Sequence, residues 1–270
     1  MAITSFIPEL WSARLLNHYR RKLVFGALVN RNYEGEIAQY GDTVHINGLE
    51  DITVKTYTPN TKIEDPERLN TEEQTLVIDH GRYYNFYVDD VDAAQARADL
   101  MDSAMSRAAT QLAEDTEDFI AEKIVTGGEI KLDGALTAES VYGEIIRIKT
   151  AMDEANVPRE GRNLVVPPTV EGLLLQNNLV ISVNGQTTTN DLTSGIVGRV
   201  AGFTVYVSNA DAVKSAMVAF NADAVTFANQ LTKTEAYRPE ARFADAVKGL
   251  NLSGAKVTRP ETVAVYTISA

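Results

Sequence analysis

The three histidines, His18, His45 and His80, are the side chains best suited to proton transfer or metal ligation near neutral pH. No two of them share an HExxH or comparable spacing, so they do not read as a ligand pair. The chain has no cysteine, which removes thiolate metal sites, disulfides and thiol nucleophiles. The densest carboxylate cluster, Asp89-Asp90-Asp92, has the composition of a hard-cation site. It stands at the start of a long helical pattern, and attraction to the positive end of the helix dipole is sufficient to account for it. No GxSxG elbow and no GxxxxGK[ST] phosphate loop occurs. Gly195-Ile196-Val197-Gly198 is too short for a dinucleotide fingerprint, and no strand pattern precedes it. Carboxylates are plentiful, yet nothing singles out two of them as a glycosidase-type pair. No catalytic, cofactor-binding or metal-binding residue is assigned, and no cofactor is expected.

Aromatic residues offer a different chemistry. Tyr83, Tyr84, Phe86 and Tyr87 are spaced so that they can stack nucleic-acid bases. The net charge of −12 opposes this, because an acidic body repels phosphates at long range. A sheet face packed on the long helix is the expectation instead. The charge is uneven: residues 1–33 carry Arg14, Arg20, Arg21, Lys22 and Arg31 against Glu9, a net +4, which leaves −16 on the remainder. The basic segment reads as a solvated arm able to touch nucleic acid or an acidic partner.

The elements that position these groups follow from periodicity. Phe6 to Leu28 reads as a terminal arm with helical patches, Leu10, Trp11, Leu15, Leu16 and Tyr19 lying near helical spacing. Thr43–Gly48 and Asp51–Thr58 alternate as strands, and so do Gln74–Asp79 and Arg82–Asp90, with a turn at His80-Gly81. Between these pairs runs VKTYTPNTKIEDPERLNTEEQT, Val54 to Thr75, poor in large apolar side chains. A loop of that length in a compact domain signals function or disorder.

Asp92 to Thr126 reads as one helix, about 50 Å long at ~1.5 Å per residue, ended by Gly127-Gly128. Val91, Ala94, Ala98, Met101, Met105, Ala108 and Leu112 make a narrow apolar stripe. A coiled coil is the competing reading, but the stepping blurs at Asp115 and Thr116, so a helix lying along a sheet is expected. A second helix, Thr137 to Ala155, presents Val141, Ile145, Ile148 and Met152 and stops at Asn156 and Pro158. Asn163–Pro168 is a short buried strand whose prolines open a helix through Leu175. Asn184–Gly195 is a polar loop; the remainder is mainly strands. No apolar run reaches the roughly 18 residues of a membrane span, and the N-terminus lacks a secretory layout. A soluble intracellular chain of α+β class is expected.

The order of parts is distinctive: a terminal arm, a long charged hairpin, RYYNFYVDDVDAAQ leading into a very long helix, the unit GRNLVVPPTVEGLLLQ, and a closing FADAVKGLNLSGAKVTRPETVAVYTIS. It resembles the major capsid (coat) proteins of tailed bacteriophages, with the HK97-type fold, over nearly the whole chain. The resemblance implies an N-terminal arm at 1–42, an E-loop hairpin with its flanking strands at 43–90 and a P-domain with its spine helix at 91–135. It also implies an axial A-domain at 136–230, a long P-domain strand at 231–258 and a closing A-domain strand at 259–270. The family builds icosahedral shells from pentamers and hexamers.

On that resemblance the protein is a structural subunit and not an enzyme. Its partners are identical copies, a scaffolding protein, a portal, double-stranded DNA held without sequence preference and a possible decoration protein. Its place is the virion, after assembly in the host bacterial cytoplasm. Lys55, Lys62 and Arg68 beside Glu64, Asp65, Glu67, Glu72 and Glu73 suit salt bridges from the E-loop to the next subunit. Trp11, Arg14, Arg20, Arg21 and Lys22 are the expected contacts of the N-terminal arm. Some relatives cross-link through lysine and asparagine; Lys55 or Lys62 is a possible donor, but no acceptor is identified, and no cross-link is expected. The alternatives are an encapsulin-type compartment, another phage structural part such as a tail-tube subunit, and a carboxylate hydrolase.

Overall fold

The computed structural model describes residues 23–33, 41–49, 71–89, 100–176, 196–240 and 244–269, with positions 54, 56, 57, 59 and 62 between them. One sheet is six-stranded and mixed. Its order is β4 (Ile130–Ala135), β11 (Ala264–Ser269), β8 (Ala216–Asn221), β5 (Arg162–Val166), β7 (Phe203–Val207) and β6 (Ile196–Val200). Helix α3 (Val141–Glu154) buries Val141, Ile145, Ile148 and Met152 with Leu164, Val166, Val205 and Tyr266 of that sheet. Each such side chain taken from water contributes roughly 1.5–3 kcal/mol. Asn156, at φ 56°, takes the left-handed conformation that ends the helix. Pro168 then opens α4 (Pro168–Gln176).

A second sheet is antiparallel: β3 (His80–Asp89), β10 (Ala244–Val257) and β9 (Val225–Tyr237). Helix α2 (Leu100–Gly127) packs on one face, where Met105, Ala109, Leu112 and Ala113 meet Tyr84 and Val247. The Tyr84 ring lies over Gly249, where a Cβ would stand 2.4 Å from it. A third, two-stranded ladder pairs β1 (Thr43–Leu49) with β2 (Thr71–Val77) from Thr43↔Val77 to Leu49↔Thr71. It sits on the body through Val44, Leu76 and Ile78, which cluster with Ala228 and Leu252. A four-residue helix, α1 (Phe25–Leu28), packs Phe25 against Phe220.

Several sequence expectations need correction. The break between the hairpin and β3 falls at Ile78-Asp79, not at His80-Gly81, because His80 already pairs with Ser253 and Gly81 with Leu252. The chain crosses over Gly254, where a Cβ would lie 2.5 Å from the Val77 carbonyl oxygen. Strand β2 begins at Thr71 rather than Gln74, so Glu72 and Glu73 stand in the ladder opposite Gly48 and Asn47 and not in the loop. The expected strand Asp51–Thr58 is absent at its described positions Val54, Thr56 and Tyr57, where no described strand lies alongside to complete a ladder.

Helix α3 spans Val141–Glu154, four residues later than expected; Thr137 and Ser140 cap its entry, each bonding the other's backbone N–H, and Val141 N–H donates to the Thr137 carbonyl. The apolar face of α2 does not blur at Asp115 and Thr116. Thr116 turns inward and donates to the Leu112 carbonyl at 2.7 Å, and burial continues through Ile120, Ala121 and Ile124. Strands β4 and β6 have no counterpart in the sequence reading. The expected helix start at Asp89–Asp92, the stripe residues Val91, Ala94 and Ala98, and the loop Asn184–Gly195 lie wholly or mainly outside the described residues.

Candidate functional site

Two roots, both carried by α2, fix the β1–β2 ladder and the segment around Phe25 to the body. The first is the base of the β1–β2 hairpin. Asp115 accepts from His80 Nε2 at 2.6 Å and from Arg82 Nε at 2.8 and 2.9 Å. One turn along α2, the Phe119 ring stacks on His80 at 4.1 Å, and Lys123 lies 5.2 Å over that ring while reaching Asp79 at 3.5 Å. Lys256 Nζ donates to the Thr75 carbonyl at 3.0 Å, and Gln74 Nε2 to the Thr258 carbonyl at 3.2 Å. Gly41 N–H and Ile78 N–H close the base through the Ile78 and Asp42 carbonyls at 3.0 Å each. The exposed pairs are individually weak, about 0.2–1 kcal/mol. Several of them spanning three elements fix the angle at which the hairpin leaves.

The second root is where the N-terminal segment enters. Glu117, 8% exposed, accepts from the Phe25 and Gly26 backbone N–H groups at 2.8 and 3.0 Å. These are orphan donors of the first turn of α1, so one carboxylate from a distant helix does the work of a cap. Burial pushes the Glu117 carboxyl up to about 7, against the opposing pull of the N–H groups and with a further push from Asp118. The Asn30 N–H donates to the Val225 carbonyl at 2.9 Å and the Asn30 carbonyl accepts from Phe227 N–H at 2.9 Å, stitching the segment to β9. The Arg31 guanidinium lies 5.7 Å over the Phe227 ring. Sequence reasoning missed Glu117 because a glutamate in a charged helix gives no local sign of burial. Its phase does: it lies one turn before Ile120 and Ala121 on the buried face.

The sequence-expected residues are placed as follows. Lys62 is exposed, and so are its described neighbours Val54, Tyr57 and Pro59, the first two at 95% and 71%. Glu72 and Glu73 are in β2. Lys55, Glu64, Asp65, Glu67 and Arg68 of the loop, and Trp11, Arg14, Arg20, Arg21 and Lys22 of the arm, lie outside the described residues. Of the four aromatics, Tyr84 and Phe86 face α2 as expected, whereas Tyr83 and Tyr87 alternate to the opposite face and are 78% and 49% exposed. Among the described residues no group of three or more His, Asp or Glu is placed to hold a metal ion, and no helix is long and apolar enough to cross a membrane.

This fold, an antiparallel sheet under a long helix beside a six-stranded sheet, is similar to that of solved structures. A structure from Mycobacterium phage Che8 is 30% identical with a TM-score of 0.72, over 90% of each chain. The capsid structure of cyanophage P-SCSP1u is 18% identical with a TM-score of 0.71, over 92% of this chain and 88% of that one. A virus-like particle from Pyrococcus furiosus is 16% identical with a TM-score of 0.60, over 94% and 96%. No curated protein sequence matches. The family model described as phage capsid protein matches residues 71–267. The fold is therefore of HK97 type, and the chain belongs to the phage capsid protein family.

Proposed function

We propose that the protein is the major shell subunit of a tailed-phage head, closing with identical copies, as pentamers and hexamers, into an icosahedral container for double-stranded DNA. The observation that carries this reading is the hairpin. Its ladder ends at Leu49↔Thr71, so residues 50–70 form an excursion beyond the last pair. The described residues of that excursion are all exposed, Val54 and Tyr57 among them. Apolar side chains held in water at the end of a firmly rooted projection are stabilised when a neighbouring copy covers them. The mixed charges of the excursion, from Lys55, Lys62 and Arg68 to Glu64, Asp65 and Glu67, give the contact polarity and direction.

Weak contacts repeated around a closed shell become collectively strong, while each remains reversible during assembly. The net charge of −12 suits a wall along which packaged DNA slides without sticking. In this reading the subunit catalyses no reaction, and its location is the phage head. Assembly in the host cytoplasm, a scaffold, a portal and a decoration protein are expected company. The likeness in fold to the virus-like particle from Pyrococcus furiosus keeps a genome-free compartment as the second reading.

The test is to express the chain with the genes beside it and to image purified particles by negative stain, followed by nuclease treatment. Closed particles protecting DNA are the expected result. Particles filled with protein cargo favour the compartment, and the absence of closed particles overturns both.

A further inference from the structure

An open groove of about 790 Å³ runs along β3 at the hairpin base, with α2 as its far wall. Every residue from Arg82 to Tyr87 lines it. These come from both faces of the strand, so the groove follows the strand's outer backbone edge. Among the described residues β3 is the outermost strand of its sheet, paired only with β10. Proteins shield such an edge with proline, charge or a bulge. From Arg82 to Val88 there is no proline, and Arg82 alone is charged. Tyr83 and Tyr87 are 78% and 49% exposed on the face away from α2. The stretch is also close to a palindrome: Tyr83-Tyr84-Asn85-Phe86-Tyr87 is aromatic on each side of a central amide.

We propose that this edge takes β3 of a second copy, paired antiparallel about a two-fold axis at Asn85. In that register Tyr83 stands opposite Tyr87 of the second copy, and Tyr84 opposite Phe86 of the second copy, each pair occurring twice. Moving the axis to Tyr84 sets Tyr83 against Asn85 and Arg82 against Phe86, and the aromatic match is lost. Asn85 Oδ1 accepts from the Tyr237 hydroxyl at 3.0 Å, which leaves its amide nitrogen to donate across the axis. There is room for the helices. Helix α2 meets Tyr84 of β3 and Val247 of β10. With strands about 4.8 Å apart, the pairing sets the two α2 helices roughly 10–14 Å apart, no closer than the ~8–10 Å of packed helices. Ala104 and Ala108, small residues on the helix wall of the groove, keep that space clear. At about 200 Å² for each tyrosine, Tyr83 and Tyr87 expose roughly 250 Å² per copy, or about 500 Å² per pair. That is short of the ~1,200 Å² of a stable complex, so the contact is weak and concentration-dependent. It needs two copies only and does not rest on shell closure.

The chain has no cysteine, so one introduced thiol reports on the axis. Paired residues of antiparallel strands have Cα atoms about 4.5–5.5 Å apart, within reach of a disulfide. Full-length Asn85→Cys, concentrated and treated with oxidised glutathione, is expected to give a linked dimer on a non-reducing gel. Tyr83→Cys, whose two copies stand about 13 Å apart along the strands, is expected to link several-fold less. Tyr83→Cys combined with Tyr87→Cys is expected to restore linking. Asn85 and Tyr83 are exposed, and circular dichroism checks that each variant keeps its fold. Absence of a linked dimer from Asn85→Cys, or equal linking in Tyr83→Cys, overturns the inference.

Discussion

The Glu117 carboxylate receives the Phe25 backbone N–H at 2.8 Å across 92 residues of sequence. It joins the entry of the N-terminal segment to the middle of the longest described helix. The geometry makes that entry sensitive to protons. The carboxyl stands near 7 when buried and at 4.5 when released to water, so the docked state binds the extra proton. The contribution is fully present below about pH 4.5 and is lost as pH rises through about 7. Docking should weaken on the order of tenfold per pH unit across that window. Amide exchange at Phe25 and Gly26 checks this: protection should fall from pH 5 to pH 8 in the wild type and stay level in Glu117→Gln. Protection that rises with pH would reverse the assignment.

Asp115 ties His80 and Arg82 to α2 at the base of the hairpin. Asp115→Ala should cost only about 1–2 kcal/mol of subunit stability, since Arg82 is half exposed. Assembly should suffer more, because the hairpin's direction is repeated in every copy. Thermal unfolding of the subunit and particle yield by sedimentation separate the two effects. A full yield of particles would show that this contact does not orient the hairpin.

Gly254 lies where the chain crosses from β2 into β3, with the Val77 carbonyl oxygen 2.5 Å from where a Cβ would stand. Gly254→Ala should displace the hairpin base and cost roughly 1–3 kcal/mol through overpacking. Urea unfolding gives the magnitude.

Arg162, 3% exposed, pairs with Asp153 at 2.8 Å and donates to the Pro158 carbonyl at 2.9 Å, binding the end of α3 to the start of β5. Arg162→Ala removes the buried donor from both, leaving Asp153 to Arg159 and the Pro158 carbonyl to Asn221, and should cost about 2–4 kcal/mol. The loss is read as a lowered urea midpoint. Hairpin exchange should be unaffected, because this pair lies in the six-stranded domain.

Much of the fold was legible in residue pattern. Val141, Ile145, Ile148 and Met152 announced the buried face of α3, and Pro168 announced the start of α4. The two roots were not legible, because their key contacts join residues far apart in sequence. His80 and Asp115 are 35 positions apart, and Phe25 and Glu117 are 92. Strand β4 was hidden for a related reason. It alternates between half-buried and exposed with few large side chains, and its only described partner is β11, at the far end of the chain. Val54, Thr56 and Tyr57 misled in the opposite direction: the alternation there suits a strand, but a strand forms only where a neighbour completes the ladder.

The central claim is that residues 50–70 serve a neighbouring copy rather than their own fold. Deleting Pro59 to Asn70 tests it most directly. The account predicts a subunit whose thermal midpoint and circular dichroism stay close to wild type, and which forms no closed particles under conditions where the full chain does. Normal particles from the deleted chain, or a subunit that no longer folds, would contradict it.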